Sequence, residues 1–276
     1  MRCSGWDCHS YCCSSDSWSS VAWRVALRKI SSTQGDARII VDGIGKTFVL
    51  RHTHSFKEAF IAVLRRKKIS TVFKALDGVD FAVREGESVA LLGFNGSGKS
   101  TLLKLISGVL KPDSGRVLTR GRVAGLIEVG AGFHPDLSGR ENVFLNAAIL
   151  GMSKREITER FDAIVEFSEI GEFIDTEVKH YSSGMFVRLA FSVAIHTELD
   201  ILLVDEVLAV GDAPFREKCK AKIAELSSQG KTMLVVSHDI DMVTALCERG
   251  ILLRHGNVVF DGEIDKAVSA LRAQDV

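Results

Sequence analysis

The sequence predicts an α/β fold: a buried parallel sheet flanked by helices, a partly antiparallel N-terminal piece, and an inserted helical region. Three observations carry this. All-apolar runs such as Ile201-Leu202-Leu203-Val204 and Met233 to Val236 read as strands buried on both faces. Helical stretches alternate with them. Two capping boxes, Ser138 with Glu141 and Ser153 with Glu156, open consecutive helices that make the middle third helical.

The elements follow in chain order. Residues 1–36 hold Cys3, Cys8, Cys12 and Cys13, all three tryptophans and many serines. Their C-x4-C-x3-C-C spacing fits no familiar zinc pattern, so this stretch is expected to be a poorly ordered extension with a short helix from about Val21 to Ile30. From 37 to 276 the sequence reads as one folded domain. Ile39 to Val41 is a strand leading to Lys46-Thr47-Phe48. Residues 55–68 place Phe56, Phe60, Val63 and Leu64 at helical spacing beside a basic end, an amphipathic helix for a greasy or anionic surface or for its own domain. Ala75 to Val83 alternates as a strand with a bulge or break at Asp77-Gly78, Glu85-Gly86 turns, and Ser88 to Leu92 is a buried strand. A helix from Lys99 to about Ser107 stops at Gly108, and Lys111 to Gly115 forms a turn. The capped helices end near Gly151 and Gly171. Asp212 and Pro214 open a helix with the stripe Phe215, Cys219, Ile223 and Leu226. His255-Gly256-Asn257 turns a hairpin between Ile251–Leu253 and Val258–Phe260.

Composition excludes several classes. The 276 residues are 46% hydrophobic and 25% charged, unlike disordered, collagenous or coiled-coil chains. Lys+Arg and Asp+Glu both number 35, so bulk charge does not hold the chain on nucleic acid. Charge is nonetheless uneven. Arg51 to Lys74 carries seven basic residues against Glu58, and Glu156 to Glu177 carries eight acids against Arg160. These are faces for different partners or two solvated helices. No run approaches the ~20 apolar residues of a membrane span, and no apolar N-terminal core suggests a signal peptide. The expectation is a cytoplasmic chain whose membrane link comes through a partner.

The chemistry concentrates in three segments. Gly93-Phe94-Asn95-Gly96-Ser97-Gly98-Lys99-Ser100, followed by Thr101, fits G-x-x-x-x-G-K-[ST] after a buried strand and at a helix start. Its glycines let backbone N–H groups wrap phosphates, the helix N-terminus adds partial positive charge, Lys99 reaches the β- and γ-phosphates, and the Ser100 hydroxyl is a Mg²⁺ ligand. The run Ile201 to Val204 ends in Asp205-Glu206, two adjacent acids whose burial is costly unless charge awaits them. Asp205 suits Mg²⁺ and Glu206 suits polarising the attacking water. A third buried strand ends in Ser237-His238-Asp239, with His238 placed for the γ-phosphate or the attacking water.

Tyr181-Ser182-Ser183-Gly184-Met185, before a helix with Leu189, Phe191 and Val193, narrows the field. With these four segments the chain, from about Ile39 onward, resembles the nucleotide-binding subunit of an ABC transporter, a P-loop NTPase fold. The family's signature reads L-S-G-G-Q; here Ser183 replaces its first Gly and Met185 its Gln. The resemblance implies that Ser182, Ser183 and Gly184 complete the ATP site of an opposite subunit, and that Asp212, in Ala209-Val210-Gly211-Asp212, is a cross-dimer residue. It puts Phe48 or Phe73 against adenine, and Glu128 where the family has a Gln that contacts Mg²⁺ or water.

The loop around Glu128 and Phe133-His134-Pro135, the run Leu137 to Asn142, Tyr-Ser-Ser-Gly-Met and the 55–68 insertion are similar to the branch that exports O-antigen, capsule or teichoic acid. That implies two copies bound head to tail, a membrane permease partner, ATP and Mg²⁺, a place on the cytoplasmic face of the membrane, and a helical subdomain at about 134–196. The C-terminal carbohydrate-binding domain of some members is not expected. A small-solute importer shares every catalytic residue and is opposed only by these loops. A soluble ABC ATPase of DNA repair or translation is disfavoured: no long heptad insertion separates Thr101 from Asp205, and only one cassette is present.

Overall fold

A computed structural model describes residues 36–51, 70–126, 130–205 and 211–273. The expected N-terminal extension, the basic 55–68 helix, Glu128 and Glu206 lie outside the described residues.

Two sheets face one another. The first is antiparallel, ordered β2-β1-β4, from β1 (Ala37–Arg51), β2 (Ser70–Arg84) and β4 (Ser114–Thr119). The second has the order β5-β6-β7-β3-β8-β9, from β3 (Ser88–Leu92), β5 (Val123–Gly125), β6 (Ile201–Val204), β7 (Thr232–Val235), β8 (Arg249–Arg254) and β9 (Asn257–Glu263). It is parallel except for the final hairpin. Among the described residues seven α-helices accompany them: α1 (Lys99–Ile106), α2 (Gly139–Ile149), α3 (Lys154–Ser168), α4 (Ser183–His196), α5 (Ala213–Ser228), α6 (Ile240–Leu246) and α7 (Ile264–Arg272).

The apolar strand runs are explained by the twofold period of a strand. Val89, Leu91, Ile201, Leu203 and Leu234 pack with Ile39, Val41, Leu76 and Phe81 of the antiparallel sheet and with Leu102, Leu103 and Ile106 of α1. Their neighbours Ala90, Leu92, Leu202, Val204 and Met233 face the other way, onto Phe215, Cys219, Ile223 and Leu226 of α5 and onto α7. The predicted α5 stripe is buried in full.

A third core belongs to the inserted helices, with Val143, Ala147, Ile157, Phe161 and Ile164 enclosed by Leu189 and Val193 of α4. The same helix turns Phe191, Ala194 and Ile195 onto the sheet. Helix α4 therefore serves two cores, which is why residues 189–195 are buried without a break.

Both capping boxes form with reciprocal bonds. Of the expected bulge or break at Asp77-Gly78, the structure has the bulge: pairing slips from Ile44↔Val79 to Lys46↔Leu76, with Gly78 at φ 68°. The hairpin turn is two residues, His255 at φ 47° and Gly256 at φ 79°. Strands β4 and β5 and helix α6 were not predicted. The polar start of β4 reads as a turn, and β5 has only three residues, too few for a period to show.

Candidate nucleotide site

The phosphate loop leaves β3 at Gly93 and enters α1 after Gly98. Gly93 (φ 144°) has no room for a side chain, because a Cβ would meet the Leu253 carbonyl at 2.4 Å. Gly98 (φ 110°) is as restricted, with the Ala75 carbonyl and Leu76 Cδ2 each at 2.7 Å. Backbone bonds fix the loop between strands. Ser97 N–H donates to Phe94 O (3.1 Å), Gly256 N–H to Ser97 O (3.0 Å), and Asp77 N–H to Gly256 O (2.9 Å). The β8–β9 turn thus bridges the loop to the β2 bulge.

Lys99, at 7% exposure, spans the loop and donates to Gly93 O at 2.6 Å and Phe94 O at 3.1 Å. Ser97 Oγ is buried with no hydrogen-bond partner among the described residues, a polar orphan suited to an anion placed in the loop. A cleft of about 220 Å³ opens here, lined by Phe73, Ala75, Gly98, Lys99, Ser100 and Thr101. Phe73 is the direct cross-strand partner of Phe48 and is the ring that lines the cleft.

Asp205 follows β6. Between β6 and β3, the strand that leads into the phosphate loop, lies β7, whose C-terminal end leads into Ser237-His238. Parallel pairing brings the C-terminal ends of all three strands to one edge, where ligands of open α/β sheets gather. Val236 N–H donates to Val204 O at 2.8 Å, and Leu126 N–H to Leu203 O at 2.8 Å. Asp239 N–H donates to Ser237 Oγ (3.0 Å), while the Asp239 carboxylate caps α6 through Met242 N–H (3.1 Å) and lies 3.3 Å from Lys220 Nζ. Those partners, Met242 N–H foremost, hold its carboxyl below the usual range. The segment after 129 is anchored as well: Asn146 Nδ2 donates to Ala131 O at 2.7 Å, and Phe133 packs edge-on against Phe186.

Ser182 is the N-cap of α4, its Oγ accepting Met185 N–H at 3.2 Å. Ser182, Ser183, Gly184, Arg188, Gly211 and Asp212 line a second cleft of about 520 Å³. It shares no lining residue with the phosphate-loop cleft. Asp212, at the N-cap of α5, accepts from Arg188 Nη2 at 2.6 Å, and that bond keeps its carboxyl below the ordinary value. Sequence reading missed Arg188; a lone cation inside an otherwise apolar helix was the available signal.

The structure thus gathers Gly93 to Thr101, Phe73, Asp205 and His238 along one side of the sheets, and Ser182, Ser183, Gly184 and Asp212 around a separate cleft. A family model described as ABC transporter matches residues 76–209. The ABC transporter protein AbcA of Aeromonas salmonicida is 49% identical over 225 residues, 82% of this chain and 72% of that protein. The O-antigen export system ATP-binding protein RfbB of Klebsiella pneumoniae is 46% identical over 77% of this chain and 84% of its own length. The teichoic acids export ATP-binding protein TagH of Listeria innocua is 40% identical over 82% and 67%. Among solved structures, a dimeric ATP-binding cassette in a post-hydrolysis state with ADP and Pi superposes at a TM-score of 0.64, with 24% identity, over 82% of this chain and 98% of that one; this likeness concerns the fold.

Proposed function

This chain belongs to the ABC transporter family, and from that premise we propose that it powers export of a cell-surface polysaccharide of the O-antigen or teichoic-acid type, working as a head-to-tail pair beneath a membrane permease. Its activity is ATP binding and hydrolysis. The names of the relatives support the substrate class. No helix among the described residues is long and apolar enough to cross a membrane, which agrees with a peripheral subunit on the cytoplasmic face.

One observation carries the paired site: the phosphate loop and the Ser182 helix start, both built for anions, open into clefts without a common residue. A triphosphate held by Gly93 to Thr101 of one chain is then closed by Ser182 to Gly184 of the other. Lys99 exchanges its loop carbonyls for phosphate oxygens. Phe73, with Phe48 beside it in the ladder, supports the adenine. His238 stands between phosphate loop and carboxylate strand to orient the γ-phosphate or the water, and Glu206 serves as base. Ser100 and Asp205, a hydroxyl and a carboxylate, are the hard oxygen donors that suit Mg²⁺, with Glu128 as a further ligand. When bound, the ion offsets phosphate charge.

Mixing two inactive variants tests the pairing. Lys99→Ala and Ser182→Ala chains, each inactive alone, should regain ATP hydrolysis together, because the mixed pair keeps one intact composite site. No recovery from chains that fold and associate would refute the shared site. For the substrate, deleting the gene should leave lipid-linked glycan inside the cell; normal surface glycan would overturn the export assignment.

A further inference from the structure

Arg188 makes contacts that the nucleotide site does not itself require. Its Nη2 donates to Asp212 Oδ1 at 2.6 Å and its Nη1 to Glu169 Oε2 at 2.9 Å. The guanidinium lies 5.0 Å from the centre of the Phe215 ring, itself buried against Phe167 and Phe191. Lys218 Nζ closes the group by donating to Glu169 Oε1 and the Phe167 carbonyl, both at 3.0 Å. Three helices meet here: the end of α3, where Glu169 adopts φ 58°, the signature helix α4, and the first turns of α5, from its N-cap Asp212 to Lys218.

The chemistry favours arginine. A planar fork serves two carboxylates at once while its face rests on an aromatic ring, and an ammonium cannot do both. The side chain is only 19% exposed, so its charge-assisted bonds are less screened than surface pairs. Asp212 follows directly on Gly211 (φ 90°), so its carboxylate is oriented by Arg188 rather than by regular backbone before it.

We propose that Arg188 is a positioning residue that locks Asp212 to the signature helix, so that the partner's nucleotide meets Ser182 and Asp212 as one rigid unit. The inference rests on the two-chain reading above and deepens it. It assigns Arg188 no contact with nucleotide. Loss of Arg188 leaves Glu169 and Asp212 with Lys218 as the remaining cation of the group and frees the carboxylate that faces the partner.

The test is a cycle of Arg188→Met, Arg188→Lys, Asp212→Asn and both double variants in the full chain. Hydrolysis rate, its dependence on ATP concentration, and binding of a fluorescent ATP analogue are measured alongside thermal unfolding. Arg188→Met should lower kcat about tenfold and flatten the ATP dependence, while analogue binding to the phosphate loop stays unchanged. Arg188→Lys should recover part of the rate. Arg188→Met/Asp212→Asn should be no slower than the slower single variant, because both changes remove one interaction.

A wild-type rate in Arg188→Met, or losses that multiply in the double variant, would overturn the proposal. Should Arg188→Met fail to fold, Arg188→Lys with Asp212→Asn decides on the same criterion of non-additivity. The Lys99→Ala and Ser182→Ala mixing experiment separates the two levels. If mixing restores hydrolysis and Arg188 proves irrelevant, only the positioning role falls; if mixing fails, the two-chain reading falls first.

Discussion

Phe73 stands directly opposite Phe48 in the β1–β2 ladder, and Phe73 lines the cleft above the phosphate loop. Phe48 is half-buried, with Lys46 Nζ 5.8 Å from its ring centre. We propose that Phe73 is the ring that meets the base, with Phe48 beside it in the ladder. Stacking of a base on an aromatic ring is worth about 1–3 kcal/mol, so Phe73→Ala should weaken ATP binding by about tenfold or more, and Phe48→Ala by less. Fluorescent-nucleotide titration checks the order; a larger loss in Phe48→Ala would reverse the assignment.

Glycines of the phosphate loop separate by what surrounds them. Gly98→Ala combines a positive φ with a Cβ 2.7 Å from the Ala75 carbonyl, while Gly96 (φ 79°) has nothing within 4 Å. Gly96→Ala therefore carries the left-handed backbone cost alone, about 1–2 kcal/mol, and should fold. Gly98→Ala forces the loop off β2 and should lose nucleotide binding along with more stability. Thermal unfolding with and without ATP separates the two.

Glu156 gives an acid-dependent stability with a definite sign. The hydroxyl and N–H of Ser153, with Arg122 beyond them, hold its carboxyl at about 2, below the ordinary 4.5. A depressed folded-state value means stability that is present above the ordinary value and lost as the carboxyl protonates in the folded chain. Wild type should be more stable than Glu156→Gln at neutral pH, and the gap should close between about pH 5 and pH 2. Chemical denaturation across that range reads the gap; one that widened on acidification would contradict the cap geometry.

Motifs whose chemistry is local were legible in the sequence: Gly93 to Ser100 between strand and helix, both Ser–Glu capping boxes, the α5 stripe, and the Asp77-Gly78 bulge. Strand order was not legible, because nothing along the chain says that β7 inserts between β3 and β6; that placement needs Ser88 to pair with Met233, 145 residues on, while Ile201 pairs with Thr232, 31 residues on. Arg188 was missed for a similar reason. Its partners Glu169 and Asp212 flank it at 19 and 24 residues, distances that no helical or strand period samples. The Phe48 and Phe73 alternative stayed open because both rings come from one ladder rung; of the two, Phe73 lines the cleft.

The double burial of α4 yields a last prediction about how the inserted helices communicate with the nucleotide. Leu189 and Phe191 are two residues apart on one helix, yet Leu189 fills the core of α2 and α3 while Phe191 packs on the sheet beside Phe215. We propose that the inserted helices form a subdomain with its own cooperative core. Leu189→Ala, at about 2–5 kcal/mol, should then loosen the insertion alone: hydrogen exchange rises in α2 and α3, hydrolysis falls, and binding at the phosphate loop persists. Phe191→Ala, at about 3–5 kcal/mol, should lower protection in β6, β7 and α5 and weaken nucleotide binding as well. The two profiles differ because each side chain removes contacts from a different core, and α4 is held rigid only while both are filled. Identical exchange patterns in the two variants would show a single cooperative unit instead, with the signature helix unable to move apart from the sheet.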